Sequence, residues 1–168
     1  ISTKTGKKNQ ANSLHNLSDA GAPLSAQYDI AAAKKNFARE NIDTSENSLW
    51  RYAPMLPVLD PKNRIALGEG WTPLVKPARW NNENGFSALY IKDEAGNPTL
   101  SFKARGLALA VSKALELGVK KIALPSAGNA ASATAAYCAA AGIECHVFMP
   151  SDTPEMFKLE CEALGAHV

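Results

Sequence analysis

Apolar positions in the first half of the chain form short, irregular clusters, whereas those in the second half recur with the periods of strands and helices. Residues 1 to about 13 are polar and aperiodic. From Leu14 to Tyr52 only Ile30 to about Glu40 has helical spacing. Pro54, Pro57, Pro61, Pro73 and Pro77 then predict an extended, turn-rich passage, with a short strand at Thr72-Pro73-Leu74-Val75. Beyond it the chain alternates. Ala88 to Lys92 reads as a strand and Gly96-Asn97-Pro98-Thr99 as a turn. Ser101 reads as the N-cap of a helix ending near Gly118. Leu107, Val111, Ala114 and Leu115 would share the buried face of that helix. A strand at Lys121–Leu124, a loop at Pro125–Asn129 and an alanine-rich helix ending at Gly142 follow. A strand from Ile143 to Met149 leads to a last helix, capped by Thr153, with Pro154 in its first turn and Gly165 past its end.

Alternation at this spacing predicts an α/β fold: open parallel-sheet layers with flanking helices and right-handed crossovers. The expected organisation is a disordered polar arm over 1–13, a lead-in segment over 14–80, and an α/β part over 81–168. Such sheets bind ligands at the carboxyl ends of their strands, and the loop from Pro125 to Asn129 lies at one of them.

Composition narrows the partners. The chain has 168 residues, enough for a core, and is 46% hydrophobic and 20% charged, as in ordinary folded proteins. A net charge of +2 is too small to suggest a nucleic-acid partner, and Lys4, Lys7 and Lys8 read as a solvated arm. No apolar run is long enough for a membrane span and no secretory signal pattern is present, so the cytoplasm is the expected compartment. Cys138, Cys145 and Cys161 are an odd set within helix and strand patterns and read as buried thiols in a reducing compartment.

Two stretches carry candidate chemistry. In Ser101-Phe102-Lys103-Ala104-Arg105-Gly106 the lysine falls in the first turn of its helix, where the macrodipole and burial beside Phe102 favour a neutral, nucleophilic amine. A solvent-facing lysine is the plain alternative. In Ser126-Ala127-Gly128-Asn129-Ala130 the glycine would let the backbone turn and approach a ligand closely. The helix start offers unpaired N–H groups to a carboxylate or phosphate. Here the alternative is that Ser126 or Asn129 merely caps the helix. His146 reads as a packed or edge histidine within an apolar strand, and His15 stands alone. No metal site is expected.

Taken together, Gly96-Asn97-Pro98-Thr99-Leu100-Ser101-Phe102-Lys103, one helix, one strand and Ser126-Ala127-Gly128-Asn129 resemble the tryptophan-synthase-β-like superfamily of fold-type II pyridoxal-phosphate enzymes. Leu49-Trp50-Arg51-Tyr52 and Leu67-Gly68-Glu69-Gly70-Trp71-Thr72-Pro73-Leu74 are most similar to the threonine synthases within it, and the resemblance runs from Leu14 to Val168. It implies pyridoxal phosphate held covalently by Lys103, with Phe102 beside the ring and Asn129 on its 3′-oxygen. It also implies a small amino-acid substrate, whose α-carboxylate meets Ser126, Ala127, Gly128, Asn129 and Ala130. The family reaction converts O-phosphohomoserine and water to L-threonine and phosphate.

Ala104 stands where threonine synthases commonly have Asp, and this SFKARG form also resembles threonine and serine dehydratases. A non-catalytic, anion-binding remnant is the alternative from another class. The family's glycine-rich phosphate loop and the partner of the pyridine nitrogen are not found in the sequence. With Ile1 at the start and a strand beginning near Val168, the chain is expected to be an N-terminal portion of a longer parent, in which a homo-oligomer is allowed.

Overall fold

A computed structural model describes residues 1–168, which gather into two units, Ile1–Ile42 and Asp43–Val168. The first unit is held largely by backbone bonds. Ser2 N donates to Lys7 O (2.8 Å), Thr3 N to Pro23 O (3.1 Å) and Ser25 N to Ile1 O (2.9 Å), while the buried Ser2 hydroxyl bonds that of Ser18. Residues 1–13, expected as a disordered arm, therefore turn back onto residues 18–25. Backbone and hydroxyl partners leave no apolar period, so the sequence pattern is silent about them. Helix α1, Ile30–Asn36, starts where the Asp29 carboxylate accepts the Ala32 N–H at 2.8 Å. It is shorter than expected, ending at Phe37 before a separate 3-10 turn at Arg39–Asn41.

The second unit joins part of the lead-in to the α/β elements, so its boundary falls at Ile42 and not at residue 80. Strand β1 (Leu74–Val75) and, after the short helix α2 (Ala78–Glu83), strand β2 (Ile91–Lys92) form an antiparallel pair in which Leu74 faces Lys92. Only two residues of the strand expected over 88–92 form, and their pairing is not parallel. Helix α3 (Lys103–Glu116), strand β3 (Lys121–Pro125), helix α4 (Asn129–Ala141), strand β4 (Glu144–Phe148) and helix α5 (Glu155–Ala163) then alternate as the sequence predicts. Strands β3 and β4 are parallel, Lys121 facing Glu144 and Pro125 facing Phe148. A further parallel bridge joins His146 to His167. The result is an α/β fold with a parallel and an antiparallel sheet and flanking helices.

Helix α4 is the centre. Every residue from Ala131 to Cys138 is buried, which marks a helix enclosed on all sides. Its alanines allow the close approach of α3, whose buried residues are Ala104, Ala108, Val111 and Ser112. The expected stripe of Leu107, Val111, Ala114 and Leu115 is thus rotated, and Leu107 and Leu115 pack at the rim. Small side chains win the centre because α3 and α4 meet closely there. Cys145 and Val147 of β4 and Cys161 of α5 complete the core with Tyr137 and Cys138; all three cysteines are free and buried. Helix α5 departs from its expected cap: the Thr153 hydroxyl is buried without a partner, and Pro154 is the flanking residue. No helix is long and apolar enough to cross a membrane.

Candidate functional site

The approach to Lys103 is a turn under backbone strain. Thr99 and Leu100 both have positive φ (54° and 53°), a conformation uncommon for side-chain-bearing residues. Ser101 then returns to extended backbone, and its hydroxyl accepts the Lys103 N–H at 3.2 Å, as a capping serine should. Lys103 opens α3, half-buried, with Nζ 4.5 Å from the centroid of the Phe102 ring. Phe102 is 57% exposed, so the amine sits beside a largely uncovered aromatic residue.

The second stretch lies at the carboxyl end of β3. Ser126 N donates to Phe148 O (3.1 Å), which ties the loop to β4. The N–H groups of Ala127, Gly128, Asn129 and Ala130 donate to no protein carbonyl, and no side chain caps the helix. The reading of Ser126 or Asn129 as a cap therefore does not hold, and the Asn129 side chain is exposed. Gly128 is not the tight turn expected of it. Its φ of −171° is extended, and a Cβ there would meet nothing within 4 Å. What the glycine leaves is open space above unpaired donors. The turn at 98–100 and the body of α3 both pack against α4, so the two helix starts belong to one packed assembly.

A polar network that sequence reading did not identify supports the first stretch. Asn97, 2% exposed, accepts the Gly70 N–H (3.0 Å) and donates to Glu94 through both its backbone O and Oε2 (2.9 and 2.8 Å). Arg105 donates Nε to Glu94 Oε2 (2.6 Å) and Nη2 to Oε1 (2.8 Å), a bidentate pair. The Thr72 hydroxyl also donates to Glu94 Oε1 (2.8 Å), and Lys92 donates to the Thr72 carbonyl. The Arg105 guanidinium, helped by Thr72 and Asn97, holds the Glu94 carboxyl down at about 2. Only Glu94's place two residues before Gly96-Asn97-Pro98 hinted at this, since apart from Asn97 its partners Arg105 and Thr72 arrive from 11 and 22 residues away.

A second tie begins at Glu69, fully buried, whose Oε2 accepts the Leu67 N–H (2.9 Å) and the Tyr137 hydroxyl of α4 (2.6 Å). Burial, with Glu69 beside it, pushes the Tyr137 hydroxyl well above its ordinary pKa, so it stays a proton donor. The structure thus puts Phe102, Lys103, Ser126, Ala127, Gly128, Asn129 and Ala130 at the starts of two packed helices. His15 and His146 lie outside this grouping.

Comparison with known proteins gives the same direction. The signature of the family described as pyridoxal-phosphate dependent enzyme matches residues 65–168. The chain is 36% identical over 156 residues to threonine synthase of Methanocaldococcus jannaschii, covering 93% of this chain and 38% of that protein. It is 39% identical over 138 residues to threonine synthase of Methanosarcina acetivorans, covering 82% and 33%. Among solved structures, a pyridoxal 5′-phosphate-dependent aspartate racemase superposes with a TM-score of 0.54 at 32% identity, over 58% of this chain and 31% of that one. The chain therefore spans about a third of the length of these curated relatives. With the match covering the helices and strands that carry Lys103 and Asn129, the chain belongs to the family of pyridoxal-phosphate dependent enzymes of fold type II and is related to the threonine synthases.

Proposed function

We propose that this chain carries the cofactor-holding lysine and the substrate-carboxylate cradle of an enzyme that converts O-phosphohomoserine and water to L-threonine and phosphate. The observation that carries the reading is the pairing of two helix starts: an amine with no ion pair beside an exposed aromatic ring, and unpaired N–H groups beneath open space. These residues suit pyridoxal phosphate chemically. An imine-forming amine, an aromatic wall, an amide and a row of anion donors are what its aldehyde, ring and amino-acid substrate require. The cofactor, when bound, supplies an electron sink for the substrate's α-carbon.

Within that reading Lys103 holds the cofactor, and its Nζ moves protons once the substrate amine has displaced it. Phe102 flanks the ring. Asn129, whose amide is exposed and uncommitted, donates to the ring oxygen. The N–H groups from Ala127 to Ala130, with Ser126, hold the substrate carboxylate, which fixes the α-carbon in the reach of Lys103. The three buried free thiols fit a reducing compartment such as the cytoplasm.

A second reading, deamination of threonine or serine, is favoured by Ala104. This side chain is fully buried in the core, where the aspartate common in threonine synthases would be a desolvated charge. The test uses the native protein. Borohydride reduction with pyridoxal phosphate should fix the cofactor on the Lys103 peptide, and Lys103→Ala should remove both that label and nearly all turnover. Phosphate release from O-phosphohomoserine with threonine formation supports the first reading. Ammonia release from L-threonine supports the second. A label fixed on another lysine would overturn the assignment of Lys103.

A further inference from the structure

On the face of the parallel sheet turned away from α4, the structure gathers side chains that the proposed reaction does not use. Glu144 and His146 alternate along β4 and so project to the same side. His167 pairs with His146 in parallel register, and the two imidazoles stack with centroids 4.8 Å apart at 25°. Glu144 Oε1 lies 2.7 Å from His146 Nε2. One donor atom from each of the three residues falls within 4.8 Å of the others.

We propose that Glu144, His146 and His167 form a binding site for a divalent first-row transition-metal ion, zinc being the best match to the donor set. Two imidazoles and a carboxylate are the ligand types zinc takes, with a fourth position left to water. Tetrahedral coordination at about 2.0–2.1 Å separates donors by about 3.3 Å, so side-chain rotations would open the 2.7 Å contact of Glu144 with His146 and bring the more widely spaced donors together.

The backbone is already fixed. His167 N donates to Cys145 O (2.9 Å) and Val147 N to His167 O (2.7 Å), which brackets His146 on both sides. Lys121 Nζ reaches both carboxylate oxygens of Glu144, Oε2 at 2.9 Å and Oε1 at 3.0 Å, while Oε1 also lies beside His146; a bound ion would take Oε1 and leave Oε2 to the ammonium. The ion would clamp the segment at His167 onto β4. Sequence reading weighed His15 and His146 separately and missed the site, because His167 joins it only through strand register.

The test is calorimetric titration of the metal-stripped native protein with zinc chloride, with cobalt(II) absorbance as a second readout of tetrahedral coordination. One ion per chain with a dissociation constant at or below about 10 µM is expected, together with a rise in Tm at saturating zinc. His146→Ala and His167→Ala should each weaken binding at least about tenfold, and Glu144→Gln less. His15→Ala should leave it unchanged. If His146→Ala proves unstable without metal, His167→Gln at the exposed position serves instead. Absence of stoichiometric binding up to about 100 µM zinc, or unchanged binding in a His146→Ala/His167→Ala double variant, overturns the site. The result is independent of the proposed reaction, since turnover is not the readout.

Discussion

Gly70 has a φ of +105°, and a Cβ placed on it would come within 3.0 Å of Leu49 N and 3.1 Å of the Ser48 carbonyl carbon. Those neighbours are backbone and cannot swing aside. Gly70→Ala should therefore destabilise the protein by about 2 kcal/mol or more, measured by urea unfolding, because strain and collision act together. The same position donates its N–H to Asn97, so the variant should also loosen the turn that leads to Lys103. At Asn129 the expected outcome is the opposite kind. Its side chain is exposed and bonded to nothing, so Asn129→Ala should leave stability nearly unchanged. Loss of a hydrogen bond worth about 1.5–3 kcal/mol should weaken pyridoxal phosphate about ten- to a hundredfold, measured by fluorescence titration. Lys103 and Asn129 could be proposed from the sequence because each sits inside a short contiguous motif. Asn97 and Glu69 lie in quoted motifs too, but their roles and that of Glu94 could not be read there, since Gly70, Arg105, Thr72 and Tyr137 reach them only through the fold.

Between elements, the Glu94–Arg105 pair ties the short turn at Glu94–Gly96 to the first turn of α3. Glu94 has a folded-state value near 2, below its ordinary 4.5. A depressed carboxyl stabilises the fold above its unfolded value and loses that contribution as pH falls through the folded one. The window is thus about pH 4.5 down to about pH 2. Glu94→Gln should cost about 1–3 kcal/mol at neutral pH, and the gap between variant and wild type should narrow across that window. Thermal unfolding at several pH values would reveal it, and a gap independent of pH would refute the assignment. Helices α3 and α4 and strands β3 and β4 were readable because long periodic segments leave little ambiguity. The strands β1 and β2 were expected over 72–75 and 88–92, but not their two-residue length or antiparallel pairing, because the exposed Leu74, Val75 and Ile91 carry no alternation that fixes a register. Thr153 misled as a cap because Pro154, in extended backbone, displaces the helix start to Glu155.

For the molecule as a whole, the division at Ile42 follows from which residues gather together in space, a property that polarity along the chain does not encode. What binds the second unit together is contact between distant parts, as when Ile65 N donates to Ser112 of α3 at 2.9 Å and Glu116 accepts from Leu59 and Asp60. The three thiols extend this view. They sit on α4, β4 and α5, in a single core, and burial pushes Cys138 to about 12 and Cys161 to about 11. Each is therefore shielded twice, by the atoms around it and by the proton it keeps. An alkylating reagent meets no thiolate while that core is closed, so the pace of cysteine modification becomes a clock for how often the second unit breathes open.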